Sequence, residues 1–209
     1  NLQRKLTQYS MMNPSLHYIM VLDHSASMAG SRWQAVLKAL ETFVKKKKSQ
    51  EIDLLSVIAF DDSATEMMKK IKFSEYKTPI SSRWGGTNFE AAFTMAQDIS
   101  NLSRNHRPVV VFLTDGEGKM GKSDSILREM YTMHKERGFM LFSIGVGDDY
   151  NLETLKQVTR SANNGEVFID LGNERFEFLH TTKDEGVLDK IFVEISNAMN
   201  RLPHQIKAT

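Results

Sequence analysis

The chain has 209 residues, of which 41% are hydrophobic and 25% charged, proportions that are typical of globular proteins. At roughly 150 residues per domain, this length predicts one domain with a single core. A net charge of +1 gives no bulk attraction to nucleic acid or to anionic membranes, so we expect neither as a partner. The lack of cysteine excludes disulfides and thiolate metal sites, and no run of about 20 apolar residues is present that would insert into a membrane.

The first residues are polar (NLQRK) and have neither an initiator methionine nor the apolar core of a signal peptide. We therefore expect the chain to be part of a larger multidomain protein. The absence of cysteine and of a signal peptide favours a cytoplasmic or other intracellular location.

In the first half of the chain, short apolar runs alternate with residues at helical spacing. The runs at 17–22 (HYIMVL) and 54–60 (LLSVIAF) predict buried strands. Between them, apolar residues recur at helical spacing and predict a helix that ends in the lysine run 45–48. These residues are Trp33, Val36, Leu37, Leu40 and Val44. After the turn at 61–63, the segment 64–71 predicts a returning strand at an antiparallel edge.

The second half of the chain continues the alternation. A glycine-containing loop at 81–88 leads into a helix with apolar residues at Phe89, Ala92, Phe93 and Ala96. The remaining predicted elements are a strand at 109–113, a helix from 123 to about 138, a strand at 139–146, a helix at 152–159, a strand at 166–169 and a long amphipathic helix from 187.

This order of elements predicts an α/β fold, a Rossmann-like three-layer sandwich with helices on both faces of a central sheet. The sheet is expected to have about six strands, mostly parallel, with one antiparallel edge strand. We place the domain at 15–202, with terminal extensions at 1–14 and 203–209, and we interpret 172–186 as an insertion without an assigned role. Sheets of this kind bind ligands at the carboxyl ends of their strands.

Hard oxygen donors follow two of the predicted strands. Asp23, Ser25 and Ser27 come directly after the first strand (DHSAS), and Asp115 follows the strand at 109–113. Thr87 lies in a glycine-rich loop (GGT) that can reach the same edge of the sheet. Two carboxylates and three hydroxyls suit Mg²⁺, with Mn²⁺ or Ca²⁺ as alternatives, and do not suit zinc or copper. Because hydroxyls are weak donors, a cation held in this way keeps an open position for a carboxylate of another molecule.

These residues resemble the metal-ion-dependent adhesion site of the von Willebrand factor A family. The resemblance covers about 15–199 and includes the glycine-rich loop, the TDG sequence at 114–116 and the IGVG sequence at 144–147. It implies that Ser25, Ser27 and Thr87 bind magnesium directly, while Asp23 and Asp115 act mainly through water. It also implies a protein-binding (adhesion or scaffolding) module and not an enzyme, with a partner that presents Asp or Glu. In integrin relatives the last helix slides when the metal site changes its ligands.

Six further residues near these ligands are candidates for a partner-contacting rim around the metal. They are His24, Met28, Arg83, Trp84, Asn88 and Lys119.

A competing pattern lies beside Asp115. The sequence from Gly116 to Ser123 (GEGKMGKS) fits the phosphate-binding loop G-x-x-x-x-G-K-S, which makes a nucleotide-binding protein the alternative function. Asp115 and Glu117 would repel phosphate at the mouth of such a loop. This alternative also leaves the ligands in DHSAS unexplained. A magnesium phosphatase with Asp23 as nucleophile is a third hypothesis, although Ser25 stands where the general acid would be needed.

Overall fold

The computed structural model describes residues 15–79, 85–103, 105–116, 118, 120–170 and 175–205, and only the backbone of residues 170 and 202–205. The predicted N-terminal extension and the rim candidates Arg83, Trp84 and Lys119 lie outside these residues. At the other end, the last helix continues to Gln205 and therefore includes residues 203–205, which the sequence assigns to a terminal extension.

The central sheet has six strands in the order β3-β2-β1-β4-β5-β8. All neighbouring pairs are parallel except β2 with β3. The strands of this sheet are β1 Leu16–Asp23, β2 Leu54–Phe60, β3 Ala64–Lys72, β4 Arg107–Thr114, β5 Met140–Val146 and β8 Leu179–Thr182. The predicted fold class is confirmed, including the antiparallel edge strand.

Helices cover both faces of the sheet. They are α1 Ser31–Lys47, α2 Phe89–Asn101, α3 Ser123–His134, α4 Leu152–Ala162 and α5 Leu188–Gln205. Helices α1 and α5 pack on one face, and α2, α3 and α4 pack on the other. Within the described part of the chain, no helix is both long and apolar enough to cross a membrane.

Strand β1 lies in the middle of the sheet and contributes to both cores. Its residues Tyr18, Met20 and Leu22 face α1 and α5, while Ile19 and Val21 face the other layer. All eight residues of β1 are buried, as expected for a parallel strand that is covered on both faces. This position holds the end of β1 rigidly, and Asp23 lies at that end.

The last strands differ from the prediction. The strand predicted at 166–169 appears as β6 Phe168–Asp170, which pairs with β7 Arg175–Glu177 in a separate two-stranded sheet. The sixth strand of the central sheet is instead β8, which lies within the segment interpreted as an insertion. Strand β8 (LHTT) is a partly exposed edge strand, so it does not need the apolar run by which buried strands are recognised.

A fully buried histidine joins two strands to the end of α2. The ring of His17 contacts the hydroxyl of Ser103 through Nδ1 and the hydroxyl of Ser56, at 2.8 Å, through Nε2. Burial, with smaller contributions from the charges of His106 and Lys70, lowers the pKa of His17 to about 3. The folded protein therefore holds this ring in its neutral form.

We predict that acidification destabilises the fold through His17. Its folded pKa lies below its ordinary value of 6.5, so the unfolded chain binds the extra proton as the pH falls from 6.5 toward 3. At pH 5 the titration of His17 lowers the free energy of unfolding by about 2 kcal/mol relative to pH 7. Urea unfolding at both pH values should show this loss in the wild type and a smaller one in His17→Gln, which cannot titrate. An equal loss in both proteins would contradict the prediction.

Candidate metal site

Two acidic residues lie at the ends of neighbouring strands. Strands β1 and β4 are parallel neighbours, with Leu22 beside Leu113. Asp23 ends β1, and Asp115 follows β4 after Thr114, so both carboxylates lie at the carboxyl edge of the sheet. The predicted juxtaposition of these two acids is present.

The side chains after β1 link the two carboxylates. The Asp23 carboxylate accepts hydrogen bonds from the backbone N–H of Ser25 at 2.8 Å and from the hydroxyl of Thr114 at 2.5 Å. The hydroxyls of Ser25 and Ser27 are 3.1 Å apart, and Ser27 Oγ donates to Asp115 Oδ1 at 2.8 Å. Four of the five predicted ligands are therefore joined by hydrogen bonds: the side chains of Ser25, Ser27 and Asp115 through their oxygens, and Asp23 through the backbone N–H of Ser25.

The loop before α2 brings the fifth ligand to this set. The N–H of Ala26 donates to the carbonyl of Gly85 at 2.9 Å, which ties this loop to the segment that carries the serines. Asn88 caps the N-terminus of α2 and fixes the other end of the loop. Thr87 Oγ1 lies 3.6 Å from the point that a β-carbon on Gly116 would occupy. The threonine hydroxyl is therefore beside the turn that follows Asp115.

The charge of this site fits a cation. Asp23 is 0% exposed and Asp115 is 1% exposed. Burial raises the pKa of Asp23 to about 6, although hydrogen bonds from Thr114 and Ser25 oppose this rise, and the charge of Asp115 adds to it. No ion pair to Asp23 is present among the residues that the structure describes. A buried carboxylate without a counter-ion is costly, and a bound cation would remove that cost.

The donor set also fits the type of metal that the sequence predicts. Within the described residues, no group of three or more His, Asp or Glu side chains is arranged to hold a metal ion. A cation at this edge would therefore depend on the hydroxyls of Ser25, Ser27 and Thr87 as well as on the two acids. All of these donors are hard oxygens, which suit Mg²⁺, Mn²⁺ or Ca²⁺.

A family model described as the von Willebrand factor type A domain matches residues 19–182. The chain belongs to this family. Domains of this family, abbreviated VWA, generally serve as adhesion or protein-interaction modules. The matched region runs from β1 to β8 and includes all five predicted ligands.

Several known proteins resemble this chain in sequence or in fold. Inter alpha-trypsin inhibitor heavy chain 4 from Mus musculus is 25% identical over 161 residues, which are 69% of this chain and 17% of that protein. The structure of a von Willebrand factor type A protein from Catenulispora acidiphila matches with a TM-score of 0.71 and 14% identity, over 89% of this chain and 43% of that one. Proximal thread matrix protein 1 from the mussel byssus, solved with a zinc-occupied metal-ion-dependent adhesion site, matches with a TM-score of 0.60 and 19% identity, over 92% and 46% of the two chains.

A basic residue of this VWA domain that was not predicted from the sequence also contacts the candidate ligands. Arg32, in the first turn of α1, places Nη1 2.5 Å from Asp115 Oδ2 and Nε 3.1 Å from Glu185 Oε1. Its hydrogen bond with Asp115 raises the pKa of Arg32 above its ordinary value, so the side chain stays charged. One signal was available in the sequence: a basic residue in the first turn of a helix opposes the helix dipole, which indicates that it has a specific acidic partner.

The predicted rim needs correction at two positions. His24 is 2% exposed and packs against Trp33 with their ring centroids 4.6 Å apart, and Met28 is fully buried in the core. Met28 is the last residue of the short 3-10 turn Ala26–Met28, and His24 lies two residues before this turn, where its N–H donates to the carbonyl of Phe60 at 2.7 Å. Because both side chains are buried, neither can form a surface rim. Asn88 is exposed, as the rim requires, although its side chain also caps α2.

The described residues of the loop after Asp115 do not have the features of a phosphate cradle. Gly118 is buried against the ring of Phe89. The N–H of Lys122 donates to a carboxylate oxygen of Glu90 at 3.2 Å, so an acid already occupies an amide that would have to face phosphate. The structure therefore does not support the nucleotide-binding alternative.

We predict that the close packing of Gly118 on Phe89 stabilises this loop. A β-carbon at Gly118 would overlap the Phe89 ring, so Gly118→Ala should lower the free energy of unfolding by about 1–3 kcal/mol. Gly116→Ala is the matched control in the same loop, because its β-carbon would meet only Thr87 Oγ1 at 3.6 Å. Urea unfolding of the two variants checks the difference. Equal stabilities would show that the loop yields to the extra methyl group.

Proposed function

We propose that this VWA domain is a divalent-cation-dependent protein-binding module. Its metal, Mg²⁺ as the proposed ion and Mn²⁺ or Ca²⁺ as the alternatives, would contact an Asp or Glu side chain of a protein partner. The observation that carries the proposal is the hydrogen-bonded group of Asp23, Ser25, Ser27 and Asp115, with Thr87 beside the turn that follows Asp115.

The donor types account for a binding role. Ser25, Ser27 and Thr87 would hold the cation through their hydroxyl oxygens, and Asp23 and Asp115 would hold it through bridging waters. The bound cation would supply an electrophilic centre that accepts a carboxylate oxygen. Neutral hydroxyls reduce the charge of the ion less than directly bound carboxylates do, so a further anionic ligand remains favourable.

The position of the site favours a macromolecular partner. All five residues lie at the end of the sheet, on rigid elements or on short loops between them. The chain spans only 17% of the mouse relative, 43% of the bacterial protein and 46% of the mussel protein, which supports a module within a larger protein. The zinc in the mussel protein belongs to that protein, and the proposed cation for this chain follows from its own oxygen donors.

We predict that Mg²⁺ stabilises the folded protein through Thr87. At a Mg²⁺ concentration about 100 times its dissociation constant, mass action adds about 2.7 kcal/mol to the stability, which raises Tm by about 5–10 °C. Thr87→Ala should lose most of this increase. Thr42→Ala is a matched control, because Thr42 is a half-buried threonine on α1 whose hydroxyl donates to the carbonyl of Lys38. Thermal melts in MgCl₂ and in EDTA measure the Tm of the wild type and of the two variants. If Mg²⁺ does not change the Tm of the wild type, the metal hypothesis is wrong.

We also predict that the metal-loaded domain selects acidic side chains. Two peptide libraries serve as probes, one with a single Asp or Glu at varied positions and the other with Asn or Gln in its place. Wild-type protein in Mg²⁺ should retain peptides of the first library only, and both EDTA and Asp23→Ala should abolish this retention. Equal retention in excess EDTA would show that binding does not depend on the metal.

A further inference from the structure

We propose that Arg32 is a positioning residue that weakens the hold of this site on its cation and makes the loaded site more attractive to a carboxylate ligand. The inference rests on the proposed metal-dependent function and deepens it. Arg32 would thus set the ratio between metal affinity and partner affinity.

The guanidinium of Arg32 is fixed from several directions. Nη1 lies 2.5 Å from Asp115 Oδ2 and 3.4 Å from the carbonyl oxygen of Ser27, and Nε lies 3.1 Å from Glu185 Oε1. The side chain of Arg32 is 24% exposed and that of Asp115 is 0% exposed. The guanidinium group of Arg32 is therefore part of the wall of the site, and these contacts hold it in one orientation relative to Asp115.

These contacts divide the two oxygens of Asp115 between two donors. Oδ1 accepts from the hydroxyl of Ser27, and Oδ2 accepts from Arg32. A carboxylate that is paired with a guanidinium has less negative charge to offer a metal ion. Since Oδ2 is engaged by Arg32, Asp115 is left with Oδ1, which faces the hydroxyl of Ser27, and it cannot easily chelate a cation through both oxygens.

The net charge of the site also indicates that Arg32 lowers the affinity for the metal ion and raises the affinity for a carboxylate. A divalent cation neutralises Asp23 and Asp115, and Arg32 then adds one positive charge close to the ion. Glu185 offsets part of that charge from the far side of Arg32, but its side chain is 28% exposed and its charge is screened by solvent. The charge on Arg32 repels the incoming cation and attracts an incoming carboxylate.

Arg32→Gln tests the inference through two equilibria measured on one protein. Mn²⁺ alone is titrated by calorimetry, and acetate is then titrated into the Mn²⁺-loaded protein while water-proton relaxation reports the loss of metal-bound water. We expect Arg32→Gln to bind Mn²⁺ about tenfold more tightly and acetate about threefold to tenfold more weakly than the wild type. A residue that merely supports the fold would weaken both affinities together.

Three further variants make the test specific. Arg32→Lys keeps the charge and should retain affinities close to those of the wild type, whereas Glu185→Gln removes the offsetting acid and should shift both affinities slightly in the opposite direction to Arg32→Gln. Arg128→Gln is the matched control, because Arg128 is an exposed arginine that pairs with Asp124 on α3. It should leave both affinities unchanged.

The outcomes separate this inference from the proposed function. If the wild type binds no Mn²⁺, the proposed metal-dependent function fails. If the wild type binds Mn²⁺ but Arg32→Gln changes both affinities in the same direction, or changes neither, only the role of Arg32 is overturned. If Arg32→Gln does not fold, the result of Glu185→Gln decides, and unchanged affinities in that variant overturn the inference.

Discussion

Two buried carboxylates at one edge of the sheet are the constraint on which the site depends. Asp23 and Asp115 follow adjacent parallel strands, so the topology itself brings their charges together. Such a pair is unfavourable in an interior unless hydrogen bonds and cations compensate for it. Thr114, Ser25 and Ser27 supply hydrogen bonds, and Arg32 supplies a charge to Asp115 alone. The uncompensated part of this negative charge lies at Asp23, which supports the proposal that this edge binds a divalent cation.

Helix α1 connects this edge to the last helix of the fold. Near its start, Arg32 pairs with Glu185, in the turn that precedes α5. Near its end, the ammonium groups of Lys46 and Lys47 donate to Asn197 and Asn200 of α5, at 2.8 and 3.0 Å. The start and the end of α1 are thus both bonded to α5 or to the turn before it. Arg32, which makes the contact at the start of α1, also contacts the predicted metal ligand Asp115. Asp115 is therefore connected, through Arg32 and Glu185, to the segment that leads into α5.

The parts of the fold that were predictable are those that local chemistry determines. The buried strands at 17–22, 54–60 and 109–113 are apolar runs, because they are covered on both faces. The placement of the candidate ligands at one edge of the sheet was also predictable, since each lies directly after a strand or in a short glycine-rich loop, whereas their binding of a metal stays a prediction. Strand β8 was not, because a half-exposed edge strand carries no apolar pattern. The burial of His24 and Met28 depends on how the segment after β1 packs against the rest of the fold, which the sequence does not reveal, and the pairing of Arg32 with Glu185, 153 positions apart, depends on how α1 packs against α5.

A built-in arginine at a metal site changes how the metal and the partner depend on each other. Suppose that Arg32 lowers the affinity for the cation when no partner is present and raises the affinity of the loaded site for a carboxylate. Each of the two ligands then binds most tightly when the other is bound. Thermodynamic linkage requires this coupling to be reciprocal, so a bound carboxylate must strengthen the hold on the cation by the same factor by which the cation strengthens the hold on the carboxylate. The domain would then carry little metal until an acidic partner arrives. A site made only of carboxylates would bind its cation regardless of the partner, and the three hydroxyls and one guanidinium of this site would avoid that outcome.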